Sequence, residues 1–237
     1  NGKDSEFILT DIWGNPPSDI NDRSLGMLFT ENGSPFEDST YAINITYTEE
    51  GFVDDKDAKN IDFDELLLSM QEDCEAANPY RIEQGYEAIH LLQWASTPFY
   101  DAENKKLHWA KELQFGTINE NTLNYNIRIL GRKGYLQLNA IGGMDVLEDV
   151  KQNNDLILSS VNFNEGHKYS DFNPDYDKVA AYGIGALIAG KVIAKVGILA
   201  KLGIMLAKFW KIIAIGFFGL LAGVKKFFTK KDNTPSE

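Results

Sequence analysis

The chain has 237 residues with 23 basic and 35 acidic side chains, so its formal net charge is -12. That length holds one well-packed domain plus a further segment, and a single cysteine, Cys74, excludes an intrachain disulfide and any multi-thiolate metal site. The charge is unevenly placed: the stretch from Asp177 onward carries ten lysines and three acids, net +7, which leaves -19 for residues 1–176. An acidic body argues against a nucleic-acid partner, whose phosphates need a cationic face, whereas the basic end suits an anionic membrane surface.

The chain opens at Asn1 without methionine, and Asn1 to Glu6 is polar, so no signal peptide is visible and a start lost to processing or truncation is expected. Phe7 to Ile12 reads as the end of a helix that Trp13-Gly14-Asn15-Pro16-Pro17 must stop. Leu25 to Phe29 is short and apolar, and Asn32-Gly33-Ser34-Pro35 marks a turn. Tyr41 to Tyr47 alternates apolar and polar positions as a half-buried strand does, and Glu49-Glu50-Gly51 turns it into Phe52-Val53.

Asp62 to Ala77 predicts the clearest helix: Phe63, Leu66, Leu67, Met70 and Cys74 share a face, Asp62 can cap, and Asn78-Pro79 is expected to end it. Gly85 to Trp94 is apolar on both faces and is expected to be a central strand; Leu107 to Leu113 follows as another after the turn Asp101 to Lys106. Asn121 to Ala140 is the strongest hairpin signal, with Leu123, Tyr125, Ile127 and Ile129 on one face and Gly131-Arg132-Lys133-Gly134 as its turn. Met144 to Val161 returns to helical spacing, and the polar, aromatic Asn162 to Tyr176 reads as a joint between body and tail. Strands joined by short turns and flanked by helices define an α+β class with an antiparallel sheet.

Four segments are expected: an acidic soluble α+β domain over 1–176, an amphipathic or membrane-associated glycine/lysine helix over 177–206, a transmembrane helix over 207–228 and a polar cytoplasmic tail over 229–237. Phe209 to Val224 is apolar except for Lys211, and a spanning helix needs about 20 residues. The span is therefore drawn from Ala207 to Phe228, with Lys208, Lys211, Lys225 and Lys226 reaching the two interfaces and Trp210 at the aromatic belt. Gly219 and Gly223 form a small-xxx-small pair that permits helix-mediated self-association. Lys191, Lys195 and Lys201 interrupt the segment before it, which favours a surface-lying helix over a second span. With one span, the positive-inside rule places the lysines in the cytoplasm and the body outside.

The stretches WGNPP (Trp13 to Pro17), ITYTEEGFV (Ile45 to Val53), IDFDELL (Ile61 to Leu67), LHWAKELQFG (Leu107 to Gly116), NTLNYNIRILGRKG (Asn121 to Gly134), VNFNEGHKYSDF (Val161 to Phe172) and DKVAAYG (Asp177 to Gly183) together resemble one family. It is a bacterial family of membrane-anchored proteins known as domain of unknown function 2167. The resemblance implies a signal peptide and a further strand ahead of WGNPP, an exported body and a C-terminal anchor, and no activity or site residues. In element order the chain is also similar to the PsbP/Mog1-like sandwich of α+β proteins.

Candidate chemistry is sparse. Asp54, Asp55, Asp57, Asp62 and Asp64 crowd together, but Lys59, Asn60 and Leu66 fall where a calcium-binding EF-hand needs an oxygen ligand, glycine and glutamate. His90 and His108 sit in strand patterns, far from any metal-binding spacing. His167, Lys168, Tyr169 and Asp171 form the candidate functional loop, since loops carry sites more often than core elements. Cys74 reads as a buried thiol, Arg128, Arg132 and Lys133 as a solvated hairpin cluster, and Trp13, Trp94 and Trp109 as core. No cofactor or metal is expected. The reading favoured is a non-enzymatic extracytoplasmic domain, tethered to the bacterial inner membrane through lipid contact, that binds an envelope protein. The alternative is a membrane-bound hydrolase or transferase with a site assembled from His167, Asp171, Glu112 and Arg128; membrane perturbation by the lysine-glycine tail is a weaker third.

Overall fold

The computed structural model describes residues 1–17, 23–31, 33–36 and 40–190, with residues 154 and 155 described by backbone alone. The chain divides into two units, Asn1–Val192 and Ile193–Glu237; the second lies outside the described residues. With it lie the expected span and its Trp210, Lys211, Gly219, Gly223, Lys225 and Lys226. Among the described residues no helix is long and apolar enough to cross a membrane.

The first unit is α+β. Helix α1 (Gly2–Phe7) is capped by the Asn1 side chain, widens into a single π turn over Ile8–Ile12, and stops at Trp13 ahead of the two prolines. Trp13 is half-buried rather than core, with its indole N–H donating to Pro35 O at 2.9 Å. Strands β1 (Ser24–Phe29) and β2 (Ala42–Thr48) follow, then the short β3 (Phe52–Asp54). Helix α2 (Phe63–Glu83) leads to β4 (Ile89–Asp101), β5 (Lys106–Phe115), β6 (Thr122–Leu130) and β7 (Tyr135–Gly143). Helix α3 (Leu147–Ser160) precedes β8 (Val179–Gly183) and helix α4 (Ile184–Ala189).

Six strands form one antiparallel sheet in the order β1-β2-β7-β6-β5-β4, and β3 pairs with β8 in parallel. The sheet has two unlike faces, because side chains alternate along each strand. On one, Leu123, Tyr125, Ile127 and Ile129 of β6 join Ala110, Leu138 and Ala140 and bury against Val146, in the turn before α3, and Val150 of α3. On the other, Leu107 and Trp109 of β5 meet α2, through Met70 and its neighbours, and α4, through Ile184, Leu187 and Ile188.

Strand β4 is the edge of the sheet, not its centre. Its apolar residues are unequally covered, Leu91 being 7% and Leu92 38% exposed, and α2 seals its free side. Gln71, Cys74 and Asn78 lie on one stripe of that helix, spaced three and four residues apart. Gln71 Nε2 donates to Leu91 O and Leu92 O, Cys74 Sγ reaches Ile89 O at 3.1 Å, and Asn78 donates to Ile89 O and accepts from Ile89 N. These side chains satisfy backbone groups that an edge strand otherwise offers to a second chain. The same anchoring explains why Pro79 does not end α2. Proline forfeits one amide bond, but Asn78 is fixed to β4, and Gln84 N still closes a turn onto Tyr80 O at 3.1 Å.

The largest departure concerns residues 177–190, expected to begin a membrane-associated helix. Val179–Gly183 is a strand of the body, and Ile184, Leu187 and Ile188 are at most 2% exposed within its core. Asp57 holds this return: its carboxylate accepts from Ile184 N at 2.9 Å and Gly185 N at 3.1 Å. Gly183 is required beside it, since a Cβ there would fall 2.5 Å from Asp57 Oδ1. The segment Asn162 to Tyr176 likewise belongs to the body rather than forming a joint, for Phe172 stacks on Phe52 with ring centroids 3.9 Å apart.

Replacing Asn78 by alanine strips Ile89 N of its side-chain acceptor and leaves Ile89 O with the Cys74 thiol alone, at a position where Asn78 is itself buried. The expected loss is about 2 kcal/mol or more of unfolding free energy, read from the urea midpoint at constant slope; an unchanged midpoint would mean that α2 does not seal β4.

Candidate functional site

The hairpin β6–β7 sets the position of the candidate loop. Its turn, Gly131 to Gly134, receives the loop through main-chain contacts: Arg132 N donates to His167 O at 2.9 Å, and Gly131 bridges to Lys168. Arg132 then grips the far end of the loop, with Nε and Nη2 donating to the Asp177 carboxylate at 2.7 and 3.0 Å and Nη1 donating to Gly166 O at 3.1 Å. The Asp177 side chain is 3% exposed, and its oxygen also accepts from Asn173 N. This fork-on-carboxylate pair holds the Asp177 carboxyl below its ordinary range, the Arg132 hydrogen bonds outweighing partial desolvation. Arg132 and Lys133 were expected to form a solvated cluster with Arg128; Arg132 is instead the clamp of the loop.

Within the loop the four candidate residues divide. His167 and Lys168 are exposed side chains held by their backbones alone. Asp171 accepts from Lys168 N at 2.9 Å and so closes the short turn Tyr169–Asp171. Tyr169 points inward: its hydroxyl donates to Val53 O at 3.0 Å, its ring lies 4.3 Å from that of Phe52, and the Lys105 ammonium stands 4.9 Å from its centroid.

Tyr169 thereby borders a polar cluster that the acidic run around Asp55 only hints at. Asp55 Oδ2 accepts from Tyr100 OH at 2.7 Å and from Lys105 Nζ at 2.7 Å. Desolvation pushes the Asp55 carboxyl up, but the bonds from Lys105 and Tyr100 and the Lys105 charge prevail and lower it. Burial, followed by the bond to the Asp55 carboxylate, raises the Tyr100 phenol; burial and the Asp55 charge raise that of Tyr169. Lys105 is the one non-glycine among the described residues with positive φ, at 56°, a conformation that costs energy and is held here by its ion pair. Two other acids of the run hold backbone amides: Asp62 caps α2 through Asp64 N and Glu65 N, and Asp57 accepts from Ile184 N and Gly185 N at the start of α4. Among the described residues no group of three or more His, Cys, Asp or Glu side chains is placed to hold a metal ion.

The alternative hydrolytic quartet is not assembled. Glu112 lies opposite Leu123 at the start of β6, bonded to Gln93 and Asn121, whereas His167 meets Arg132 just past its end. Nine residues of extended strand separate Leu123 from Arg132, roughly 30 Å. Arg128 is on the other face, its guanidinium 5.0 Å from the Trp109 ring and 5.2 Å from that of Tyr135, and it donates to Leu187 O. His90 Nδ1 contacts Glu75 Oε1 at 2.6 Å, and His108 Nδ1 lies 3.2 Å from the Tyr125 hydroxyl. Cys74 is half-buried, and burial raises its thiol away from reactivity.

Pattern reading missed a second polar region, on the α2 face of the sheet. There Trp109, Asn126, Asn139 and Asn44 are successive cross-strand partners on β5, β6, β7 and β2. Asparagine is disfavoured in strands, and its recurrence at central positions was the available signal. Fold and polar clusters together define an α+β protein with an antiparallel six-stranded sheet and a clamped hairpin-side loop. The chain belongs to the family described as Protein of unknown function (DUF2167), whose model matches residues 1–219. No curated protein matches the chain.

The depressed carboxyls of Asp55 and Asp177 sit on contacts that tie distant segments, so acid unfolding should report them. Their contribution is complete above the ordinary value of 3.8 and is lost as the pH falls through their lowered folded values. Urea midpoints followed from about pH 5 down to about pH 2 should fall less steeply for the Asp55→Asn, Asp177→Asn double variant than for the natural chain. Parallel curves would show that neither carboxylate is linked to folding.

Proposed function

We propose that this protein is a non-enzymatic, membrane-tethered domain of the bacterial inner membrane, its body extracytoplasmic and its role the binding of an envelope protein. The observation that carries the reading is the apolar run from Phe209 to Val224, bordered by Lys208 on one side and by Lys225 and Lys226 on the other and preceded by an acidic body. Lipid is the partner of that run, and Gly219 and Gly223 offer a surface for self-association within the bilayer. The body itself is taken as PsbP/Mog1-like, a reading supported by an antiparallel sheet flanked by helices on both faces.

Support for a protein partner comes from the α1–β1 side. Among the described residues β1 pairs with β2 alone, and Phe7, Leu25 and Leu28 there are 57%, 59% and 55% exposed. An edge strand with exposed apolar side chains is the surface on which a partner strand docks. No observation favours the hydrolase reading, since its residues stand at opposite ends and faces of the hairpin.

Protease added to intact spheroplasts carrying an epitope after Glu237 tests the topology. The body should be digested from outside while the epitope survives until the membrane is opened. Digestion of both from outside would overturn the single span, and survival of both would overturn the extracytoplasmic body.

A further inference from the structure

The α2 face of the sheet carries an unusual row. From β5 to β7, Trp109, Asn126 and Asn139 stand opposite one another in register. Trp109 is 1% exposed, yet its indole N–H has no hydrogen-bond partner, and neither does the buried carbonyl oxygen of Asn139. An unmet buried donor or acceptor costs about 1–3 kcal/mol, and native interiors keep few of them.

Two cations flank the row diagonally. Lys111 is one step to one side of it on β5, and Arg128 one step to the other side on β6. Burial and the positive charge of Arg128 bring the Lys111 amine down to about 8. Asn126, between them, is oriented by its bonds to Asn124 O and Oδ1 at 3.0 and 2.7 Å. Arg128 lies across the Trp109 ring, 5.0 Å from its centroid, so its positive charge stands beside the unmet indole donor. The place thus presents positive charge, an unmet donor and an unmet acceptor on three neighbouring strands of one face.

We propose that this face of the sheet binds a small organic anion carrying a hydroxyl near its carboxylate, such as an acidic sugar. The carboxylate accepts from Trp109 and faces Lys111 and Arg128, and the hydroxyl donates to Asn139. The site stands independently of membrane attachment.

The full-length chain in detergent, labelled with nitrogen-15 at its four tryptophans, supplies the readout. The Trp109 indole resonance, assigned with Trp109→Phe, should move downfield and saturate on titration with D-glucuronate at millimolar concentration, and should stay still with D-glucose. Lys111→Met should weaken D-glucuronate by about tenfold or more, as losing a buried charged partner does, while leaving the urea midpoint level or higher, since an apolar side chain replaces a buried charge. No movement with D-glucuronate overturns the site. An equal saturating shift with inorganic phosphate overturns the organic anion, and undiminished binding by Lys111→Met overturns the charge recognition.

Discussion

The architecture depends on one closure. Asp57, just past β3, holds the backbone amides of Ile184 and Gly185, joining points about 127 residues apart in the chain. The entropy of closing so long a loop grows only logarithmically with its length, so one carboxylate, one parallel strand pair and the apolar surface of α4 suffice to hold it. Once closed, β8 and α4 complete the core on the α2 side: Ile184, Leu187 and Ile188 pack with Leu107, Trp109 and Met70. The Arg132–Asp177 pair then fixes the intervening loop against the hairpin turn. Remove the closure and the sheet keeps its α3 face while its other face loses half its cover.

That asymmetry explains why the two faces of the sheet are chemically different. The α3 face is apolar from β6 to β2, and from β5 it is joined by Ala110. On the other face α2 covers β4 and β5, and α4 reaches Arg128, but toward β7 and β2 the side chains are amides and hydroxyls: Asn139, Gln137, Asn44 and Thr46. Gln137 bonds Thr46 and Thr48, and Ser24 bonds Asn44, so this surface is partly knit to itself. A face intended only for water is commonly populated by lysine, glutamate and threonine, which tolerate strands better than asparagine does. Asparagine at three neighbouring central positions sacrifices strand preference for hydrogen-bonding capacity.

Much of this was legible. Strict alternation from Leu123 to Ile129 located β6 and its buried face, and Asp62 followed by an apolar stripe located the start of α2, because local periodicity reports burial directly. What failed required tertiary knowledge. Nothing local distinguishes an apolar strand covered by neighbouring strands from one whose edge is sealed by Gln71, Cys74 and Asn78, so β4 was placed at the centre. Pro79 stops a free helix but not one pinned to a strand. Most instructive is Val179 to Ala189. Hydropathy measures the gain on leaving water; it is blind to whether the new surroundings are lipid or protein. Adjacent lysines, from Lys191 on, lent their membrane character to a stretch that belongs to the core. The His167 loop was recognised as distinctive, but its inward partner was Tyr169, and the residue that governs it, Arg132, lay in a turn that composition alone marks as solvated.

The proposed anion site and the end of the body share one group. Arg128 donates to Leu187 O in the last turn of α4, where carbonyls lack intrahelical partners, and the same guanidinium covers Trp109. A ligand that recruits Arg128 competes with that carbonyl, so whatever binding gains is offset by a looser hold on α4. The coupling is reciprocal: by whatever factor a bound anion weakens the Arg128–Leu187 contact, that contact weakens the anion. The residue after this helix is Gly190, with φ of 70°, a left-handed cap that side chains other than glycine adopt reluctantly. The last turn of α4 is thus held by Arg128, a side chain that a bound anion would claim, which links occupancy of the sheet to the hold on that helix.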